Sequence, residues 1–450
     1  MTQDIWSRIL IAVAFLFAAQ TGMAQTAPSS TDTLYLSIDE ALNIGLEQNH
    51  SVRMANQEAE AASSRSKQAN AVFFPSVTIE ENAMYTTDPI NAFGFKLKQE
   101  RISQADFQPD VLNDPDAIGN FNTRIAIEQP LLNFDGFMER SAATLISESA
   151  MKQLQGTKNY AVYQIKQSYY MYLLSTKKIS VLERSYESVQ SFEKRAQNYF
   201  EQDLINKADL LGARVHALTI QQELEKAEND RDNAEDQLRF LLNVDQNKPV
   251  KITSDLQEVS FGIQPGNLAV NPMNSRLQAI DLRVQAAQKM EKASKYAFLP
   301  RLNLFGSYDY NDQDLFAFDA SSYTVGASLQ WNLFNGFKNL GKMGESQANL
   351  KKARIMYEQE SVQNEMKVRK ARRVIEEARQ NITLTETAIE QAEEDFRIRS
   401  DRFDEGLEQS SDVLQTEAKR MEARLRNLQA IFQYNMGVAT LELLYETDFN

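Results

Sequence analysis

Between positions 206 and 242, apolar residues return at heptad spacing on two tracks. One reads Leu210, Ala217, Leu224, Arg231, Leu238; the other reads Ala213, Ile220, Ala227, Ala234, Leu241. Small residues facing larger ones suit closely packed helices, so the stretch is predicted to be one arm of a coiled coil. The last arm repeats the pattern with Leu414, Met421, Leu428 and Ala418, Leu425, Phe432, Ala439. Each arm follows a longer helical stretch, from about Met138 to Glu201 and from about Leu340 to Ser400. The breaks between stretch and arm echo one another: Phe200, Leu204, Asp209 and Leu211 recur 203 residues later as Phe403, Leu407, Asp412 and Leu414. Gly406 supplies a left-handed helix stop, and Ser410 or Ser411 a new N-cap. Both breaks therefore read as tips of helical hairpins.

Elsewhere the period changes from helix to strand. Val77 and Ile79, then Ala83 and Tyr85, alternate with polar residues; Ile125 and Ile127 begin a second strand. Leu302, Leu304, Gly306, Tyr308 and Tyr310 share one strand face, as do Tyr323, Val325, Ala327, Leu329 and Trp331. Asn49-His-Ser-Val52 and Asn274-Ser-Arg-Leu277 open matching helices that end at Phe73-Phe-Pro75 and Phe298-Leu-Pro300. Phe134-Asp-Gly-Phe137 likewise matches Phe334-Asn-Gly-Phe337. The chain thus reads as one unit built twice, residues 25–242 and 274–450, joined by an equatorial connection at 243–273 with a short strand at Val250 and Ile252. Pro75 and Phe134 are 59 residues apart, Pro300 and Phe334 only 34, so the first β-hairpin carries 25 extra residues. Residues 89–121, rich in Asn, Asp, Pro and Gly, read as a long exterior loop that tolerates change. Ser37 and Glu40 form a capping box that opens the first helix after a Ser/Thr-rich, mobile segment at 25–36.

Charge and end composition narrow the class. The net charge of −14 argues against a nucleic-acid partner. Arg8, the apolar run from Ile9 to Ala19 and the small-x-small site at Gly22-Met-Ala24 read as a signal peptide over residues 1–24, too short to span a membrane. The mature chain is then exported. It has no Cys for disulfides or N-terminal acylation, and only His50 and His216, which argues against a His-based metal site or a catalytic triad. No catalytic, cofactor or metal residues are expected, and the chain does not read as an enzyme.

The expected fold is mixed but mainly helical. A helix of about 60 residues rises roughly 90 Å, with amphipathic strands at the end away from the tips. Four strands cannot close a membrane barrel, which takes roughly eight or more, and open edges do not survive in lipid. Several chains must then share one barrel; three would give twelve strands, with the helices below forming a hollow helical barrel. The competing reading is a periplasmic coiled-coil scaffold without a pore. It explains the helices and the signal peptide, but not two amphipathic β-hairpins at matching places in a repeat.

The order helix, Leu-Pro, strand, loop, strand, Phe-[Asp/Asn]-Gly, long helix, Phe-x-x-x-Leu tip, Asp-x-Leu, return helix, all twice, resembles the TolC-type outer membrane factors over residues 37–445. That resemblance implies a homotrimer: a twelve-stranded β-barrel in outer-membrane lipid, continuous with a periplasmic α-helical barrel. It also implies an exit duct for efflux or type I secretion, docked on a periplasmic adaptor that links it to an inner-membrane pump. On that reading the tips, Phe200, Leu204, Phe403, Gly406 and Leu407, match adaptor-docking positions; simple turn packing is the alternative. Asp209 and Asp412 match an acidic ring at the periplasmic mouth, with only Lys207 offsetting the acidic tips nearby; the alternative is a first-turn carboxylate favoured by the helix dipole. Tyr308, Tyr310, Tyr323 and Trp331 fit membrane-interface anchors or ordinary sheet residues. The family's mouth-closing Tyr and Arg are here Phe403 and Glu408, and the first tip has Asp203 where the second has Gly406, so the tips are expected to be inequivalent.

Overall fold

The computed structural model describes residues 33–260 and 272–447. The expected signal peptide and residues 261–271 of the equatorial connection lie outside the described residues. In chain order the elements are β1 (Leu34–Leu36), α1 (Ile38–Gln48), α2 (His50–Gln68), β2 (Ser76–Thr86), α3 (Pro89–Lys98), α4 (Pro109–Asn113), β3 (Ile118–Leu132), α5 (Phe134–Glu201), α6 (Lys207–Leu242), β4 (Val250–Ile252), α7 (Ser275–Tyr296), β5 (Arg301–Asp312), β6 (Ala320–Gln330), α8 (Lys338–Asp404) and α9 (Ser410–Tyr445). The repeat is plain in the lengths. The long helices α5 and α8 have 68 and 67 residues, and the return arms α6 and α9 have 36 each. At the standard rise the long helices extend about 100 Å.

The return arms are shorter than the helices they accompany, and the rest of each length is supplied by α2 and α7. Asparagine amides make the joints. Asn49 Oδ1 accepts from the N–H groups of Ser51 and Val52, while its Nδ2 donates to Leu241 O at 2.8 Å, the end of α6. Asn274 Oδ1 accepts from Leu277 N, and its Nδ2 donates to Leu444 O at 3.4 Å, the end of α9. One side chain thus caps the helix that starts and satisfies a terminal carbonyl of the helix that stops, so two short helices run nearly as one. This is the physical content of the mirrored Asn49 and Asn274 segments. The Ser37–Glu40 capping box also forms, with Glu40 N to Ser37 Oγ at 3.3 Å and Ser37 N to Glu40 Oε2 at 2.8 Å.

The core sits at this equatorial level. Leu36, Ala41, Ile165, Tyr169, Leu173, Leu174, Leu238, Leu241, Leu242 and Val250 pack as one buried cluster. β1 lies in it, paired parallel to β4 through Leu34–Val250, Tyr35–Lys251 and Leu36–Ile252. Part of the segment expected to be mobile is therefore a strand, with Leu36 buried in the core. Its partner lies about two hundred residues away, beyond the reach of local pattern. The seam of α6 is buried at Leu210, Ala213, Ala217, Ile220, Ala227, Ala234, Leu238 and Leu241, while the expected positions Leu224 and Arg231 are half-buried. In α9 the buried residues that pack on α8 are Ala430, Tyr434, Val438 and Leu441, while of the expected seam Ala439 is buried. The expected seam residues Leu414, Met421 and Leu425 pack half-buried on the α5–α6 cluster. α9 therefore has two partners and a wider apolar face than a two-helix seam. Lys166 and Glu442, buried at 2.7 Å, join α5 to α9 and so one repeat to the other.

The four long strands form one antiparallel sheet of order β2-β3-β5-β6, so β2 and β6 are its edges. Two expected starts need correction. β3 begins at Ile118, because polar residues before Ile125 continue the pairing, and α5 begins at Phe134, where the Asn133 side chain caps the turn; α8 begins at Lys338, within two residues of the expected start. Residues 89–121 are not a bare loop. Asp88 Oδ1 accepts from Asn91 N at 2.9 Å and Pro89 occupies the first turn, which starts α3. Cap residues and turn residues are the same types, so composition alone misread them.

Candidate functional site

Both hairpin tips turn through one left-handed residue, Asp203 at φ 58° and Gly406 at φ 76°. Their backbones match bond for bond. Leu204 N donates to Tyr199 O and Asp203 N to Phe200 O, at 2.9 and 3.0 Å; Leu407 N donates to Arg402 O and Gly406 N to Phe403 O, both at 2.9 Å. This is the helix-stop geometry expected of Gly406, and Asp tolerates it in the first tip. The tips are therefore equivalent in backbone, contrary to expectation, and differ only in how side chains fasten them. The expected cap at Ser410 or Ser411 is not used. Gln409 holds the extended conformation of an N-cap, and Ser410 is already helical, so its hydroxyl cannot serve the helix start.

Leu204 and Leu407 project from the turns, 66% and 63% exposed. Phe403 does not. It is 2% exposed, with its ring 4.8 Å from Phe192 and 5.5 Å from Tyr199, in a cluster with Ala196, Leu210, Ala213 and Val413. Phe200 packs on the edge of the same cluster, so both phenylalanines support the tips from within. Burial of such a side chain stabilises the tip by about 1.5–3 kcal/mol.

Asp209 and Asp412 are each the third residue of their helices, α6 and α9. Asn206 Oδ1 accepts from Asp209 N at 3.0 Å, and Gln409 O accepts from Asp412 N at 3.1 Å. The residues that follow them, Leu210 and Val413, share one cluster, so the two carboxylates stand at one level of the bundle end. Lys207 is not the only local cation. Arg195 lies 3.5 Å from Asp404, and Glu408 is gripped by Arg399 at 2.7 Å and Arg402 at 3.0 Å. Arg397 bonds Glu394 and Asp401, and its hydrogen bonds hold the Glu394 carboxyl below its ordinary pKa. None of these four arginines pairs with Asp209 or Asp412. Further up, Glu417 is buried against Ser185 and Arg420, whose guanidinium lies 4.0 Å over the Phe396 ring. Burial holds the nearby His216 imidazole below its ordinary pKa, opposed by the Glu417 charge.

At the far end the sheet has one apolar and one polar face. Val77, Ile79, Tyr85, Ile125, Ile127, Leu304, Tyr308, Tyr323, Val325 and Leu329 are exposed on the first. Tyr308 faces Tyr323 across β5 and β6, and the Tyr308 ring lies 5.0 Å from Tyr310 toward the end far from the helices. Trp331 lies at the helix side, where its Nε1 donates to Phe298 O at 3.0 Å. The four aromatics therefore fall at both ends of the strands. The helix-side set is larger than the sequence reading named: Phe73, Phe74, Phe134, Phe298, Phe334 and Phe337 are exposed there too. Their duplicated positions, beside Pro75 and Pro300 and in the two Phe-[Asp/Asn]-Gly-Phe segments, were the available signal. On the polar face Arg124 pairs with Asp309 at 2.6 Å, beside Asn122 and Ser307. Gly326 leaves room for the Phe305 ring, which would meet an added Cβ at 2.6 Å. Among the described residues no helix is long and apolar enough to cross a membrane.

The sequence model of a family described as outer membrane efflux protein matches residues 41–244 and 272–445. Comparison with curated proteins gives no match. Among solved structures, the CmeC outer membrane channel of Campylobacter jejuni superposes with a TM-score of 0.79 at 13% identity, over 91% of this chain and 85% of that one. The outer membrane protein VceC of Vibrio cholerae gives 0.76 at 16% identity, over 91% and 96%. The open-state MtrE outer membrane channel of Neisseria gonorrhoeae gives 0.73 at 15% identity, over 91% and 88%.

Proposed function

Since the chain belongs to the outer membrane efflux protein family, with its sheet in the outer membrane and its helices in the periplasm, we propose that three copies form the exit duct of a tripartite efflux or secretion system. The observation that carries this reading is the sheet β2-β3-β5-β6: four strands, two open edges and one apolar face. Unpaired edges are untenable in lipid, so copies must join edge to edge. Three copies supply twelve strands, and their helices continue the wall into the periplasm. The exposed Leu204 and Leu407 then face a periplasmic adaptor, which brings the inner-membrane pump into line.

Asp209 and Asp412 form the narrow end of this duct. Six carboxylates at one level, left unpaired by the arginines around them, concentrate cations at the mouth. The test is the reversal potential of single channels in a salt gradient. With Asp209→Asn and Asp412→Asn combined, the trimer stays intact and cation preference falls. Wild-type selectivity in the double variant would make both residues helix-dipole carboxylates, worth about 0.3–1 kcal/mol each.

A further inference from the structure

The 31 residues between β2 and β3 form a folded unit, whereas the β5–β6 connection has only seven. Inside the unit, Phe93 packs edge-on to Phe107 at 5.7 Å and Lys96 Nζ lies 2.8 Å from Asp106 Oδ1. The Lys96 bond, helped by the Ser103 N–H and hydroxyl, holds the Asp106 carboxyl at about 2. A residual cavity of only 10 Å³ remains among α3, α4 and the turn between them.

This unit is fastened to one face of the sheet. Ala92 and Phe95 of α3 are buried on Ile118. Gln99 Nε2 donates to Gly119 O at 2.9 Å and Asn120 Oδ1 at 2.8 Å, and Asn120 Nδ2 reaches Asn311 Oδ1 at 3.1 Å. By strand alternation, Ile118 and Asn120 share the face of Asn122 and Arg124, which is the polar face. In a closed membrane barrel the polar face is the inside. α3 therefore lies against the inner wall at the outer end. Its opposite side carries Ile90 and Leu97, two turns apart, with Phe107 nearby; these are 82%, 58% and 59% exposed. That apolar side is aimed at the barrel axis.

We propose that the three copies of α3 meet on the axis and close the outer mouth through Ile90, Leu97 and Phe107. The proposal rests on the trimer argued above. Size supports it. Twelve strands spaced about 4.8 Å and tilted about 40° enclose a ring about 24 Å across, and a folded unit of this length has a radius of gyration of about 8 Å. Three such units on the inner wall cannot avoid one another. The occupant of each apolar side is thus the same side of another copy, and the contact is a dewetted gate that cargo must part.

The chain has no cysteine, so an introduced one is unique. Ile90→Cys and Leu97→Cys trimers, treated with a mild oxidant, are expected to give a covalent dimer band, since a disulfide needs Cα atoms within about 4.4–6.8 Å. Ser328→Cys, on the polar face of β6, is expected to give none. The double variant Ile90→Asp, Leu97→Asp is expected to raise single-channel conductance by about twofold or more, because charge wets the closure. A trimer by light scattering that yields no cross-link at either position overturns this proposal alone. A monomer overturns the trimer and this proposal together.

Discussion

At the first tip the chain turns through Asp203 and restarts on Asn206, whose side chain caps α6. At the second it turns through Gly406 and restarts on Gln409, which gives no side-chain cap. The second tip is held by side chains of its own hairpin and of the neighbouring one. Phe403 is sunk against Phe192 and Tyr199, Arg195 reaches Asp404 and Ser400, and Arg399 with Arg402 grips Glu408. Phe192, Arg195 and Tyr199 all belong to α5, the long helix of the other hairpin. One backbone turn is therefore stabilised in two ways: by a helix cap in the first copy, and in the second by a local arginine clamp on Glu408 together with a neighbouring helix. If the hairpins separate, the first tip keeps its cap, whereas the second keeps its arginine clamp but loses the rings and the arginine that α5 supplies.

That contrast can be broken by substitution. The largest effect is expected from Phe403→Ala, which leaves a cavity beneath the second tip and costs about 3–5 kcal/mol of its packing. Amide hydrogen exchange over 404–413 should accelerate strongly, while Phe200→Ala, at the edge of the same cluster, should accelerate 201–209 less. Equal effects at both tips would erase the distinction. A smaller effect is expected from Asn206→Ala, about 1 kcal/mol, read as faster exchange at Asp209 N–H. Gln409→Ala should leave Asp412 N–H unchanged, since no side-chain cap is lost there. A matching loss at both sites would mean that Gln409 caps after all.

Much of this architecture was legible in the chain. Heptad tracks gave the return arms, alternation gave the four strands, and the duplicated Asn49 and Asn274 segments marked joints whose amide bonding explains the asparagine. Three features were not legible, for one physical reason. β1 pairs with β4 across the whole first repeat, Phe403 is buried by rings on another helix, and Arg195 neutralises a tip to which it is not adjacent in sequence. Each depends on which elements become neighbours, and local periodicity carries no record of that. The α3 unit was missed differently: Asp88, Pro89 and Ser103 were present as caps, but caps and loops draw on the same residues.

A duct through the membrane requires that further copies close the open sheet edges. Light scattering of the detergent-purified protein, with the detergent contribution subtracted, measures this directly. Each chain is 51.2 kDa before any processing. Edge-to-edge closure gives a monodisperse particle containing three polypeptides, whereas a monodisperse single polypeptide in mild detergent rules it out.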